Sequence, residues 1–128
     1  MRDAERPLIL FAEDNETVRL ALKETLELEG WRVEAGADGR AALARLEGGG
    51  RYDLLLFDDE MPGVSGLELT RRARALSHRR RTPVVVVSAS EVGAEASRAG
   101  ADAFLRKPDD MRSVAAVVAR LLALSARR

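Results

Sequence analysis

The stretch Tyr52-Asp53-Leu54-Leu55-Leu56-Phe57-Asp58-Asp59-Glu60 joins a nearly unbroken apolar run to three consecutive carboxylates. A short apolar run of this kind, Tyr52 to Phe57, reads as a strand covered on both faces, because a half-exposed strand would alternate with polar residues. Leu8 to Ala12 and Val84 to Ser88 have the same character, and the first of these also runs into acidic residues, Glu13 and Asp14. These three belong in the middle of a sheet. Trp31 to Ala35 instead alternates Trp31, Val33 and Ala35 with Arg32 and Glu34, and Ala103 to Leu105 is short. Both have the character of edges.

Helical patterns fill the intervals. Asn15 to Glu29 carries Val18, Leu22 and Leu26 on one face and stops at Gly30. Asp38 to Glu47 behaves similarly, and a third helix opens with Ser65 and Glu68 spaced as a capping box, flanked by Val64 and Leu69 as a hydrophobic staple. Glu91 to Arg98 contains Gly93 and few large apolar residues, which predicts a short helix. The last helix, from about Asp110 to the C-terminus, has Met111, Val114, Val118 and Leu121 on one stripe. Strand and helix alternating five times predict a doubly wound α/β fold: three layers, (βα)5, with a parallel five-stranded sheet in the order 2-1-3-4-5. In such a sheet ligands bind beyond the carboxyl ends of strands 1 and 3.

Composition narrows the chemistry. A chain of 128 residues, 46% apolar, suits one domain with a real core, and its 21 acidic and 21 basic side chains cancel. No net field draws it to nucleic acid or an anionic membrane, and no helix-turn-helix pattern is present, so neither is an expected partner. With no cysteine, disulfides, thiolate nucleophiles and Cys-ligated zinc are excluded. Met1 to Pro7 carries both signs of charge, the apolar run after it is shorter than a leader's, and no later segment would span a bilayer, so the cytoplasm is the expected location. Gly48 to Gly50 reads as a flexible connection, and the His78 to Arg81 loop as solvated.

Five carboxylates then gather at one rim: Glu13 and Asp14 after strand 1, and Asp58, Asp59 and Glu60 after strand 3. Hard oxygen ligands from two strands suit Mg²⁺. Ser88, followed by Ala89, and Lys107, followed by Pro108, end strands 4 and 5 at the same rim. A hydroxyl and an ammonium facing carboxylates are suited to holding the oxygens of a transferred phosphoryl group. The plainer readings are a helix cap for Ser88 and a salt bridge to Asp58 for Lys107. Adjacent strand residues point to opposite sides, so one of Asp58 and Asp59 must be a bystander; Asp59 is the expected one.

Taken together, Glu13-Asp14, the run Asp58-Asp59-Glu60-Met61-Pro62-Gly63, Ser88-Ala89 and Lys107-Pro108 resemble the response-regulator receiver domains of two-component signalling, chemotaxis receivers among them, over nearly the whole chain. The resemblance implies a flavodoxin-like fold with Asp58 as phosphoacceptor, a Mg²⁺ site from Glu13, Asp14, Asp58 and the Glu60 carbonyl, and Ser88 and Lys107 on the phosphoryl oxygens. It further implies a cis bond between Lys107 and Pro108, and Phe104 as the switch aromatic, where the plain reading is a packed aromatic on an edge strand. The partners it implies are a histidine kinase or histidine phosphotransfer protein, a separate effector protein, and a homodimer through the fourth-helix face. The expected unit is a single receiver domain, residues 1–128, with no output domain and no enzyme activity beyond assisting its own phosphorylation and dephosphorylation.

Three features depart from the family pattern. Glu13 replaces the commoner aspartate, Ser88 replaces threonine but keeps the hydroxyl, and the interval from Ser88 to Lys107 is a few residues short, trimming the fourth helix. That trimming favours the alternative, a scaffold of this fold that binds partners without phosphorylation. A third reading, a Mg²⁺-dependent phosphatase or phosphotransferase acting on a separate substrate, lacks a recognisable pocket or general acid.

Overall fold

A computed structural model of the chain describes residues 5–126. Five strands alternate with five helices: β1 (Leu8–Ala12), α1 (Glu16–Leu28), β2 (Arg32–Gly36), α2 (Gly39–Glu47), β3 (Leu54–Asp58), α3 (Gly66–Ala75), β4 (Val84–Ser88), α4 (Gly93–Ala99), β5 (Ala103–Arg106) and α5 (Val114–Ser125). All pairings are parallel and the order is β2-β1-β3-β4-β5, as the run of apolar and alternating strands predicts. Every residue of β3 and β4 is buried, whereas β2 is mostly half-buried at its edge.

Strand alternation sorts the core into two layers. Leu10, Leu55, Phe57, Val84 and Val86 pack under α2 and α3 with Leu46 and Leu69, while Ile9, Phe11, Leu54, Leu56, Val85 and Val87 pack under α1 and α5 with Leu22, Leu26, Val114 and Val118. Each fully buried aliphatic side chain contributes about 1.5–3 kcal/mol, so both layers together supply most of the drive that holds the helices on the sheet. Strand register within this core fixes where the rim residues emerge.

Several boundaries differ by a residue or two. β2 runs from Arg32 rather than Trp31, and β3 begins at Leu54; just before it, Asp53 pairs with Leu8 twice, its N–H donating to the Leu8 carbonyl at 2.8 Å and its carboxylate accepting from the Leu8 N–H at 2.9 Å. Strand β5 extends to Arg106, and the last helix opens with a single 3₁₀ turn, Met111–Ser113, before α5. Asn15 and Asp38 stand outside α1 and α2 as their N-caps, accepting from the N–H groups of Val18 and Ala41. At α3, Ser65 accepts from the Glu68 N–H, but Glu68 spends its carboxylate on Arg71 and Arg72, so only half of the expected capping box forms.

The His78 to Arg81 loop is not merely solvated, and the Gly48 to Gly50 segment is more than a connection. Arg79 is 2% exposed; its guanidinium donates to the carbonyls of Leu46, Arg45 and Gly48, closing the C-terminus of α2, and it lies 4.9 Å over the Tyr52 ring. His78 contacts the Gly48 carbonyl at 2.9 Å. A cation serves there because the helix end presents unpaired carbonyls and partial negative charge. The terminal Arg127 and Arg128, and residues 1–4 of the charged N-terminal stretch, lie outside the described residues.

Candidate functional site

The backbone ladder continues past the strand ends, and this sets the site. The N–H of Glu13 reaches the Gly36 carbonyl, that of Asp59 reaches Val87, and that of Lys107 reaches Ser88, at 3.1, 2.9 and 2.8 Å. Residues from β1, β3, β4 and β5 are thereby fixed at one rim. Gly66 lets α3 begin directly over this rim: a Cβ there would lie 2.6 Å from the Asp58 carbonyl oxygen, closer than real Cβ contacts come. The bond between Lys107 and Pro108 is cis, as the resemblance implies.

Asp58 is the centre, 2% exposed at the end of β3. Lys107 Nζ lies 3.4 Å from its Oδ2 and 2.6 Å from Glu13 Oε1, so the ammonium bridges two carboxylates from different strands. The salt bridge to Asp58 that the plainer reading expects is present, and Glu13 is the closer of the two partners. Asp59 points the other way and accepts from the Leu67 N–H at the start of α3. Asp14 is exposed beside the pair, and Glu13, Asp14 and Asp58 each offer a carboxylate oxygen within 4.8 Å of the others. Three hard oxygen donors, one exposed and reachable from solvent, fit the ligand chemistry of Mg²⁺.

Burial and a neighbouring carboxylate set the charge state. Loss of water, then the hydrogen bond and repulsion from Glu13, push the Asp58 carboxyl up to about 7. Burial also raises Glu13, but the Lys107 ammonium, Asp58 and the Asn15 N–H outweigh it and hold its carboxyl below the ordinary value. For Lys107 burial favours the neutral amine, and contact with Glu13 and Asp58 more than offsets this, raising its pKa. Two carboxylates held this close, with a single ammonium against both, leave negative charge that a divalent cation would neutralise.

Ser88 is fully buried, and it does not cap α4, whose N-terminus has no side-chain cap. Its Oγ accepts from the Ser90 N–H at 3.0 Å and donates to Glu60 Oε1 at 2.9 Å; the Ala89 N–H donates to the same oxygen at 2.6 Å. The Glu60 N–H meanwhile reaches Asp58 Oδ1 at 3.2 Å. The sequence counts Glu60 among the rim carboxylates and the resemblance assigns its carbonyl to the metal site; the contact of its carboxylate with Ser88 and Ala89 was not expected. Arg19, also absent from the expected set, donates to the Glu13 carbonyl at 3.0 Å from the first turn of α1; a bond to a backbone carbonyl outside the helix leaves no side-chain pattern by which the sequence could have shown it. Phe104 sits apart from the carboxylates: half-buried, it packs on the α2/α3 side of the core below the start of α4, where a Cβ on Gly93 would lie 3.2 Å from its ring.

The model for the response regulator receiver domain matches residues 9–119. The phosphate regulon transcriptional regulatory protein PhoB of Rhizobium meliloti is 37% identical over 105 residues, 80% of this chain and 46% of its own length. The chain spans about half the length of this and other curated relatives it matches. Among solved structures, a CheY-like response regulator receiver domain from Methanospirillum hungatei superposes with a TM-score of 0.87 at 28% identity, covering 96% of this chain and 98% of that one. The response regulator TrrA of Thermotoga maritima, solved in complex with Mg(2+)-BeF, gives a TM-score of 0.80 at 30% identity over 90% of this chain and 98% of its own.

Proposed function

Because the chain belongs to the response regulator receiver domain family of two-component signalling, we propose that it accepts a phosphoryl group on Asp58 and changes its partner binding in response. The donor in this reading is a phosphohistidine of a histidine kinase or histidine phosphotransfer protein. One observation carries it: of the two adjacent aspartates, only Asp58 faces the Glu13–Lys107 pair, and Asp59 is spent on the backbone of α3. The likeness to a receiver solved with Mg(2+)-BeF supports the same reading.

In the transfer, a carboxylate oxygen of Asp58 forms a bond to phosphorus as the phosphorus–nitrogen bond of phosphohistidine breaks. The electron pair leaves with the imidazole, which takes up a proton. Lys107 neutralises charge on the phosphoryl oxygens, while the Ser88 hydroxyl and Ala89 N–H donate to them. Glu13, Asp14, Asp58 and the Glu60 carbonyl would hold Mg²⁺, which supplies further positive charge against the same oxygens when bound. Water attacking phosphorus later breaks the bond to Asp58, releasing inorganic phosphate and restoring the carboxylate. The domain assists these steps on itself and acts on no separate substrate.

Output follows from β4. Turning Ser88 toward a phosphoryl oxygen draws in the loop to α4, and Phe104, packed beneath Gly93, is placed to follow. The α4 face and an effector protein then read the change. A second reading, a scaffold working without phosphorylation, is favoured by the length of α4, seven residues with no side-chain N-cap. Mass spectrometry after treatment with acetyl phosphate and Mg²⁺ separates the two: one added phosphoryl group supports the receiver, none supports the scaffold.

A further inference from the structure

The Ser88 hydroxyl and the Ala89 N–H converge on a single anionic oxygen, Glu60 Oε1, at 2.9 and 2.6 Å. Two donors closing on one negative oxygen form a small oxyanion seat, and charge-assisted bonds of this length are the strong kind. The hydroxyl's one proton is committed to Glu60, while the oxygen accepts from the Ser90 N–H. Glu60 belongs to the exposed loop after β3, and its own N–H is tied to Asp58 Oδ1 at 3.2 Å. From that anchor its side chain reaches the end of β4.

We propose that the Glu60 carboxylate is a resident stand-in for a phosphoryl oxygen: it fills the Ser88–Ala89 seat in the unphosphorylated domain and must leave before the phosphoryl group on Asp58 is held. The inference rests on the receiver reading above, and it gives Glu60 a side-chain role separate from its carbonyl. Two anions cannot share two donors, so occupancy by one excludes the other. The seated fraction therefore lowers the apparent affinity for any phosphoryl group or mimic in proportion to the open fraction left; a seat filled nine-tenths of the time costs about tenfold. Because Glu60 is exposed, the displaced carboxylate moves into water and keeps its hydration. Phosphorylation then exchanges one anion for another on β4 and throws a negative side chain outward next to the loop that begins α3.

The test measures binding of beryllofluoride, with Mg²⁺ present, to the full chain and to three variants. Glu60→Ala opens the seat. Glu60→Asp keeps the charge but shortens the arm by one methylene, and Glu60→Gln keeps the reach without the charge. The expected order of affinity is Glu60→Ala and Glu60→Asp about tenfold tighter than wild type, with Glu60→Gln between. In the same samples the Ala89 amide proton of the unliganded wild type should resonate downfield, and move upfield in Glu60→Ala and Glu60→Asp. A purely structural role for Glu60 would not produce that pairing of a lost amide bond with tighter binding. Equal or weaker binding by folded Glu60→Ala and Glu60→Asp, with wild type binding normally, overturns the Glu60 inference alone. Failure of wild type and all variants to bind overturns the phosphoacceptor reading and this inference with it.

Discussion

Lys107 and Glu13, 94 positions apart in sequence, meet at 2.6 Å at the rim of the sheet, and the same ammonium reaches Asp58 at 3.4 Å. A single cation thus holds two buried acids from neighbouring strands. Removing one partner of such a cluster costs more than making the cluster contributes, because the charges left behind stay buried.

Replacing Lys107 by alanine should therefore destabilise the metal-free domain by about 2–4 kcal/mol at about pH 8. At about pH 5, below the raised Asp58 value, one proton already sits on the acid pair, and the loss should be smaller. Urea unfolding at the two pH values in the presence of a chelator measures both. An equal loss at both would remove Asp58 from the coupling.

Asp58 itself is a site of strain. A carboxyl at about 7 in the fold and 3.8 when free binds more protons folded than unfolded between those values. Stability accordingly falls as pH rises through this window and levels off above it. Asp58→Asn removes the effect, so metal-free wild type should lose stability relative to the variant from about pH 4 to about pH 7, by a few kcal/mol at most. Urea midpoints across the window give the difference, and a gap that is flat with pH would contradict the assignment. Magnesium chloride should then stabilise wild type more than the variant.

Gly66 predicts a steric penalty. A Cβ 2.6 Å from the Asp58 carbonyl oxygen and 2.9 Å from its carbon forces α3 to lift from β3. Gly66→Ala should cost about 1–3 kcal/mol in spite of alanine's better helix propensity, and should slow labelling of Asp58 by acetyl phosphate. An unchanged melting temperature would show that α3 accommodates the methyl without moving.

How much of this was legible in the sequence divides along physical lines. The sheet order came from the contrast between continuous runs such as Leu54 to Phe57 and the alternation around Val33, because burial on one or two faces writes itself into residue type. That Glu13, Asp14, Asp58, Ser88 and Lys107 emerge together was legible because strand ends in a parallel sheet share one rim. Strand ends were less so: Tyr52 is apolar and buried, yet β3 begins at Leu54, and at the junction the Asp53 carboxylate takes the Leu8 N–H, a polar contact across 45 positions that leaves no local signature. Arg79 escaped for the same reason, since its three carbonyl partners lie on α2 and beyond. The Glu60 carboxylate escaped because an acid in an exposed loop has solvent as its ordinary partner, and only the folded distance to Ser88 reveals otherwise.

The most direct test is residue-resolved labelling. Wild type, Asp58→Asn and Asp59→Asn are treated with acetyl phosphate and Mg²⁺ and read by intact-mass and peptide mass spectrometry. Label on wild type and Asp59→Asn, with none on Asp58→Asn, is the expected result. Label that persists in Asp58→Asn and disappears in Asp59→Asn would contradict the account of the site.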